Sequence, residues 1–276
     1  MRWYVSIGAA LIAAALAGGD LASVAAPSAP RFAQKAPDTQ VDVELVLAVD
    51  VSYSMDLEEL AIQREGYAQA VTSPEFLNAL KSGAHGKVAV TYFEWAAAHD
   101  QKIVIPWRVI DGPESADAVA AEIMKAPLRR ASRTSISGAI NFSMQLLADN
   151  TYKGLRRVID ISGDGPNNDG EPVVIARDAA LAKGVSINGL PVMVKQTTSM
   201  DIEKLDIYYE DCVIGGAGSF VIPIKERVKF KEAIRTKLIL EVAGLRPASA
   251  IIPVQALQPR IPCTIGEQLR RQRWGP

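Results

Sequence analysis

The sequence predicts an α/β fold, a doubly wound and mostly parallel six-stranded sheet with one antiparallel edge strand and helices on both faces. Three observations predict it. The run VELVLAVDV, Val43 to Val51, is nearly continuous in aliphatic residues, as a central parallel strand buried on both faces must be. Segments of helical period then alternate with strand-like runs along most of the chain, the order that builds a parallel sheet through helical crossovers. One connection is too short for a crossover: KVAVTYFEW, Lys87 to Trp95, is separated from a strand at Lys102 to Ile105 only by polar residues around His99 and Asp100, which suits a hairpin.

The elements follow in order. Leu57 to Val71 places Leu57, Leu60, Ala61, Ala68 and Val71 on one helical stripe, with Glu58, Glu59 and Arg64 elsewhere. After the hairpin, a helical pattern runs from Ala116 to Lys125, breaks at Pro127, and resumes from Ser135 to Ala148 beyond the loop RRASRT. RVIDIS, Arg157 to Ser162, reads as another buried strand and stops at the polar turn GDGPNNDG. A helix at Val173 to Lys183, a strand at Val185 to Val194 and a helix at Asp201 to Tyr209 come next. The chain then shows a last strand at Ser219 to Ile224 and a closing helix at Lys225 to Val242, with Phe230, Ile234, Leu238 and Val242 facing inward.

Composition sets the class. With 276 residues, 49% of them hydrophobic and 22% charged, the chain can bury an ordinary core without a structural metal or a cage of disulfides. Thirty basic residues against 31 acidic ones leave a formal charge of −1, which offers no footprint for nucleic acid or an anionic membrane. The basic cluster of Arg270, Arg271 and Arg273 near the C-terminus reads as a short solvated tail.

At the other end, Arg2 precedes the apolar run WYVSIGAALIAAALAGG and then small residues around Ser23, Val24 and Ala25. That is the pattern of a secretory signal peptide over residues 1–25, the run being short for a bilayer span of about 20 residues. Cleavage after Ala25 leaves a mature chain without a membrane span, in the periplasm or outside the cell. A Pro/Ala-rich linker over residues 26–40 follows, then a folded domain over 41–244 and a C-terminal extension over 245–276. The two cysteines, Cys212 and Cys263, suit an exported chain in which they pair and staple that extension to the domain; two separate buried thiols are the alternative.

In a doubly wound sheet ligands bind beyond the carboxyl ends of the strands, where the winding reverses. Two such ends carry clustered oxygen ligands. Asp50, Ser52 and Ser54 alternate along the turn DVSYS, and Asp164 lies in SGDG at the end of RVIDIS. Thr134 closes a polar loop just before a helix. No thiol or imidazole is among these residues, a donor set that selects Mg2+, or Mn2+ or Ca2+, over zinc or copper. Each residue also has a local reading: Asp50 and Ser52 as caps of the first helix, Thr134 as cap of its own, Asp164 as a turn residue before Gly165. Asp160 lies inside its strand, and Asp169 reads as a solvated loop residue.

The DxSxS triplet, the threonine before TSISGAI and the Asp-Gly after the fourth strand resemble the metal-ion-dependent adhesion site of von Willebrand factor A domains. The resemblance covers roughly Val41 to Gly244 and is greatest to exported bacterial members of unknown function. It implies that Asp50, Ser52, Ser54, Thr134 and Asp164 hold the cation, and that a partner protein supplies an Asp or Glu carboxylate at the open coordination position. The departure is Ser-Gly-Asp-Gly where Thr-Asp-Gly is usual, which leaves open whether Asp164 ligates directly or through water. The implied function is cation-dependent protein binding, adhesion or scaffolding, without catalysis. A metal-dependent hydrolase or phosphatase on an exported substrate is the alternative. It has little in the sequence behind it: Ser52 stands where such enzymes place a second acid, and no GxxxxGK[ST] loop, GxSxG elbow or zinc-type ligand cluster is present.

Overall fold

The computed structural model describes residues 39–195, 202–244 and 259–275. The expected signal peptide and nearly all of the linker lie outside the described residues. In chain order the elements are β1 (Thr39–Asp50), α1 (Leu57–Thr72), α2 (Pro74–Lys81), β2 (Val88–Trp95), β3 (Gln101–Ile110), α3 (Pro113–Lys125) and α4 (Ile136–Ala148). After them come β4 (Tyr152–Gly163), α5 (Val173–Ala182), β5 (Ser186–Pro191), α6 (Leu205–Tyr208), α7 (Phe230–Ala243) and α8 (Ile265–Trp274). A wider helical turn, Tyr209–Val213, continues α6.

The sheet order is β3-β2-β1-β4-β5, with β3 antiparallel to β2 and every other pair parallel. Pairing on both sides explains why β1 is buried from Val41 to Asp50. Its alternate side chains feed two cores. Val43, Leu45, Leu47 and Val49 pack with α1, α2, α3 and α7, whereas Val46 and Ala48 pack with α4, α5 and α6. Because β2 and β4 flank β1, the winding reverses there, beyond Asp50 and Gly163, the place where sheets of this kind bind ligands.

Several expectations need correction. The regular sheet has five strands, not six. The segment expected as the sixth, Ser219 to Ile224, does run parallel beside β5: Gly189 N–H donates to Phe220 O (3.0 Å), Ile222 N–H to Gly189 O (3.0 Å), Ile224 N–H to Pro191 O (2.9 Å) and Met193 N–H to Ile224 O (2.7 Å). Pro191 has no N–H for the bond between these pairs, so the ladder splits into isolated bridges. The edge strand β3 runs on to Ile110, past Pro106, because an irregularity in the β2 pairing leaves that residue unpaired and the Thr91 hydroxyl donates to Ile105 O (2.8 Å). Leu57 and Ala61 stay exposed on α1, whose buried face instead includes Gln63 and Arg64. Arg64 is buried because Glu94 of β2 pairs with it. Lastly, the basic tail is the helix α8.

Candidate metal centre

The DVSYS turn is shaped by its first residue. Asp50 Oδ1 accepts the Ser52 N–H at 2.7 Å, the local bond that makes Asp a turn former. Ser52 is buried and Ser54 exposed, with their hydroxyls 2.8 Å apart. The Ser54 hydroxyl in turn donates to Asp164 Oδ1 at 2.5 Å. Four of the five expected ligands thus form one hydrogen-bonded chain across the ends of β1 and β4. Thr134, nearly buried, flanks the same turn, since a Cβ on Gly165 would stand 3.8 Å from its Oγ1. Its loop is drawn in by Ala131 N–H, which donates to Val51 O at 2.9 Å.

The capping readings of Asp50, Ser52 and Thr134 do not hold, whereas Asp164 does stand in a bend before Gly165. Asp56 is the cap of α1: it accepts Glu59 N–H (2.8 Å) while Glu59 accepts Asp56 N–H (2.9 Å), a full capping box. Ser135 caps α4 by accepting Gly138 N–H at 3.1 Å. Asp50, Ser52 and Thr134 are therefore spared from capping.

Electrostatics point to an external cation. Asp50 is fully buried, and its Oδ2 has no hydrogen-bond partner. Burial first, and then the neighbouring Asp164 carboxylate, push the Asp50 carboxyl well above the usual carboxylate range. A cation between the two carboxylates would satisfy the orphaned oxygen and remove their repulsion. The extra glycine belongs to this geometry: a Cβ on Gly163 would lie 2.9 Å from Asp50 Oδ2 and 3.0 Å from the Tyr209 hydroxyl. A side chain at position 163 would crowd both the Asp50 carboxylate and the Tyr209 hydroxyl. Among the described residues no cluster of three or more His, Cys, Asp or Glu could hold a metal. Two acids and three hydroxyls are a hard-oxygen set instead.

Sequence reasoning missed several neighbours. Lys195 reaches in from beyond β5, donating to Ser54 O, pairing with the buried Glu59 and standing 3.6 Å from Asp164 Oδ2. Arg130 donates to Tyr53 O and lies 5.3 Å from the centre of the exposed Tyr53 ring. Asp169 is not a solvated loop residue but accepts Ala98 N–H (2.9 Å) and pairs with Arg133 (2.6 Å) and Arg270 (3.1 Å). No local period marks any of these residues. By contrast Asp160 is enclosed within the fold, paired with Lys237 of α7. Cys212 and Cys263 are joined as a disulfide, with Cα atoms 5.4 Å apart.

A family model described as "Protein of unknown function (DUF1194)" matches residues 40–246. The chain belongs to that family. No curated protein matches this DUF1194 chain. Solved structures do. Proximal thread matrix protein 1 from the mussel byssus, with a zinc-occupied MIDAS motif, is 14% identical with a TM-score of 0.50, over 75% of this chain and 49% of that one. The pilus adhesin SpaC from Lactobacillus rhamnosus GG in its open conformation is 10% identical with a TM-score of 0.53, over 76% of this chain and 31% of that one. The vWF domain of the type V pili tip protein Mfa5 from Porphyromonas gingivalis is 10% identical, TM-score 0.53, over 76% of this chain and 98% of that domain. The chain spans about half the length of the mussel protein and about a third of the adhesin. At such identities the likeness is one of fold, and the fold is that of von Willebrand factor A domains.

Proposed function

We propose that this protein is a divalent-cation-dependent protein-binding module, an adhesion or scaffolding domain and not an enzyme, acting in the periplasm or outside the cell. Asp50, Ser52, Ser54, Thr134 and Asp164 hold the cation, directly or through water, and a partner's Asp or Glu carboxylate takes the remaining position. The observation that carries this reading is the buried Asp50 Oδ2, without a hydrogen-bond partner, set against a second carboxylate across the ends of β1 and β4. Mg2+, Mn2+ or Ca2+ suits the oxygen donors. The zinc-occupied MIDAS motif of the mussel protein puts that metal in the same titration series. A pilus adhesin, a pilus tip protein and a thread matrix protein among the structures of like fold favour binding over catalysis.

Two aspartates can neutralise a divalent ion formally, but the hydroxyls are neutral, so the ion stays electrophilic at its open side. A partner carboxylate there makes a charge-assisted contact in a partly dry crevice. Metal and partner then stabilise one another equally. Affinity capture from envelope extract in magnesium, and again with chelator, should recover a partner only with the metal, and that partner should tighten Mn2+ binding in calorimetry. If neither ligand alters the affinity of the other, the contact lies elsewhere on the surface.

A further inference from the structure

The turn GPNNDG reads in sequence as plain polar loop, yet three of its residues fasten the segment that carries Thr134. Asn168 holds Thr134 on both sides: its Oδ1 accepts Thr134 N–H at 2.9 Å, and its own N–H donates to Thr134 O at 2.8 Å. Asn167 Oδ1 accepts Ser137 N–H at 3.0 Å. Asp169 O accepts the Ser135 hydroxyl at 2.8 Å, and its carboxylate receives Ala98 N–H and Arg133.

The other side of this hub is held by α8. Asn167 Nδ2 donates to Glu267 Oε1 at 2.7 Å, and Arg270 donates to Asn168 O at 2.8 Å and Asp169 Oδ1 at 3.1 Å. The approach is close enough that a Cβ on Gly266 would meet Asn167 O at 2.0 Å, so only glycine fits there. What brings the helix to this place is covalent. The Cys212–Cys263 disulfide joins its lead-in to the fully buried Cys212 in the turn after α6, and Arg260 adds ion pairs to Asp211 (2.7 Å) and Glu210 (2.6 Å).

We propose that α8 is a clasp: tethered by the disulfide, it locks Asn167, Asn168 and Asp169, and through them sets Thr134 against the Asp164 turn. Arg270, Glu267 and Asn168 are thereby positioning residues for the cation, though none belongs to its proposed ligand set. This rests on the metal-site reading. Groups that orient ligands without touching the metal typically change its affinity about ten-fold or more when removed.

The test uses the full exported chain and Mn2+ as probe. Arg270→Ala is at a part-exposed position and should fold; in metal-free protein it should speed amide exchange at Thr134 and Ser137 while leaving β1 and β4 amides unchanged. Asn168→Ala should weaken Mn2+ about ten-fold, and Asn168→Asp, which keeps an acceptor for Thr134 N–H, should restore the affinity. A fall in melting temperature for Arg270→Ala with unchanged exchange at Thr134 and Ser137 would overturn the clasp and leave α8 a purely structural brace. If the wild-type chain takes up no Mn2+, the metal-site reading falls, and with it the role in cation binding, while the exchange rates still report on the clasp itself.

Discussion

Asp50 and Asp160 are both fully buried carboxylates on neighbouring central strands, and their surroundings are opposite. Asp160 points at an ammonium: Lys237 of α7 pairs with it and with Glu241 (2.5 Å), while Asn188 donates to Glu241 at 3.1 Å. Asp50 faces another acid, Asp164; Asp50 and Asp160 each have a carboxylate oxygen outside any hydrogen bond, but of these two only Asp160 has an ion pair among the described residues. Within the sheet, the fold supplies the counter-charge from its own helix. At the strand end the Lys195 ammonium stands 3.6 Å from Asp164 and is shared with Glu59; no ion pair to Asp50 itself is seen among the described residues, and an external cation would supply one. A buried acid by itself thus says little about function; what faces it decides.

The comparison breaks most easily at Lys237. Lys237→Met leaves Asp160 and Glu241 buried without their ammonium, and such losses cost about 3–5 kcal/mol. Denaturant unfolding should show a drop of that order; a loss below about 1 kcal/mol would mean the cluster is not held by charge pairing.

A smaller effect sharpens the same contrast through pH. Burial chiefly, and Glu241 beside it, raise the Asp160 carboxyl to about 7 despite Lys237. In the unfolded chain an Asp titrates near ~3.9. The native state therefore keeps a proton that the unfolded state has released, so this contribution is fully present below about pH 4 and is lost as pH rises through about 7. Asp160→Asn should flatten that slope in a series of unfolding curves, and an unchanged slope would assign it to another group.

The smallest effect on stability is expected at the open site. Asp50→Asn removes a carboxylate that Asp164 repels, so the metal-free protein should unfold within about 1 kcal/mol of wild type or later. Binding of Mg2+ or Mn2+ should vanish in calorimetry. Retained affinity would remove Asp50 from the ligand set.

What the sequence by itself determined was whatever local pattern and residue chemistry can carry. The apolar runs of β1 and β4, the hairpin gap before β3, and the candidate donor set (Asp50, Ser52, Ser54 and Asp164 after strand ends, Thr134 before its helix) could be read because strand period, connection length and ligand hardness are local properties. The tertiary structure alone decided the rest. The expected sixth strand depends on a proline in its neighbour, Pro191, and not on its own residues. Asp56 and Ser135 proved to be the caps, since capping depends on backbone geometry that several nearby Asp and Ser residues could equally have supplied. The roles of Asn168, Asp169, Lys195 and Arg270 were invisible because a polar side chain acquires its function from partners far along the chain, and nothing in its own neighbourhood records which partner the fold will bring.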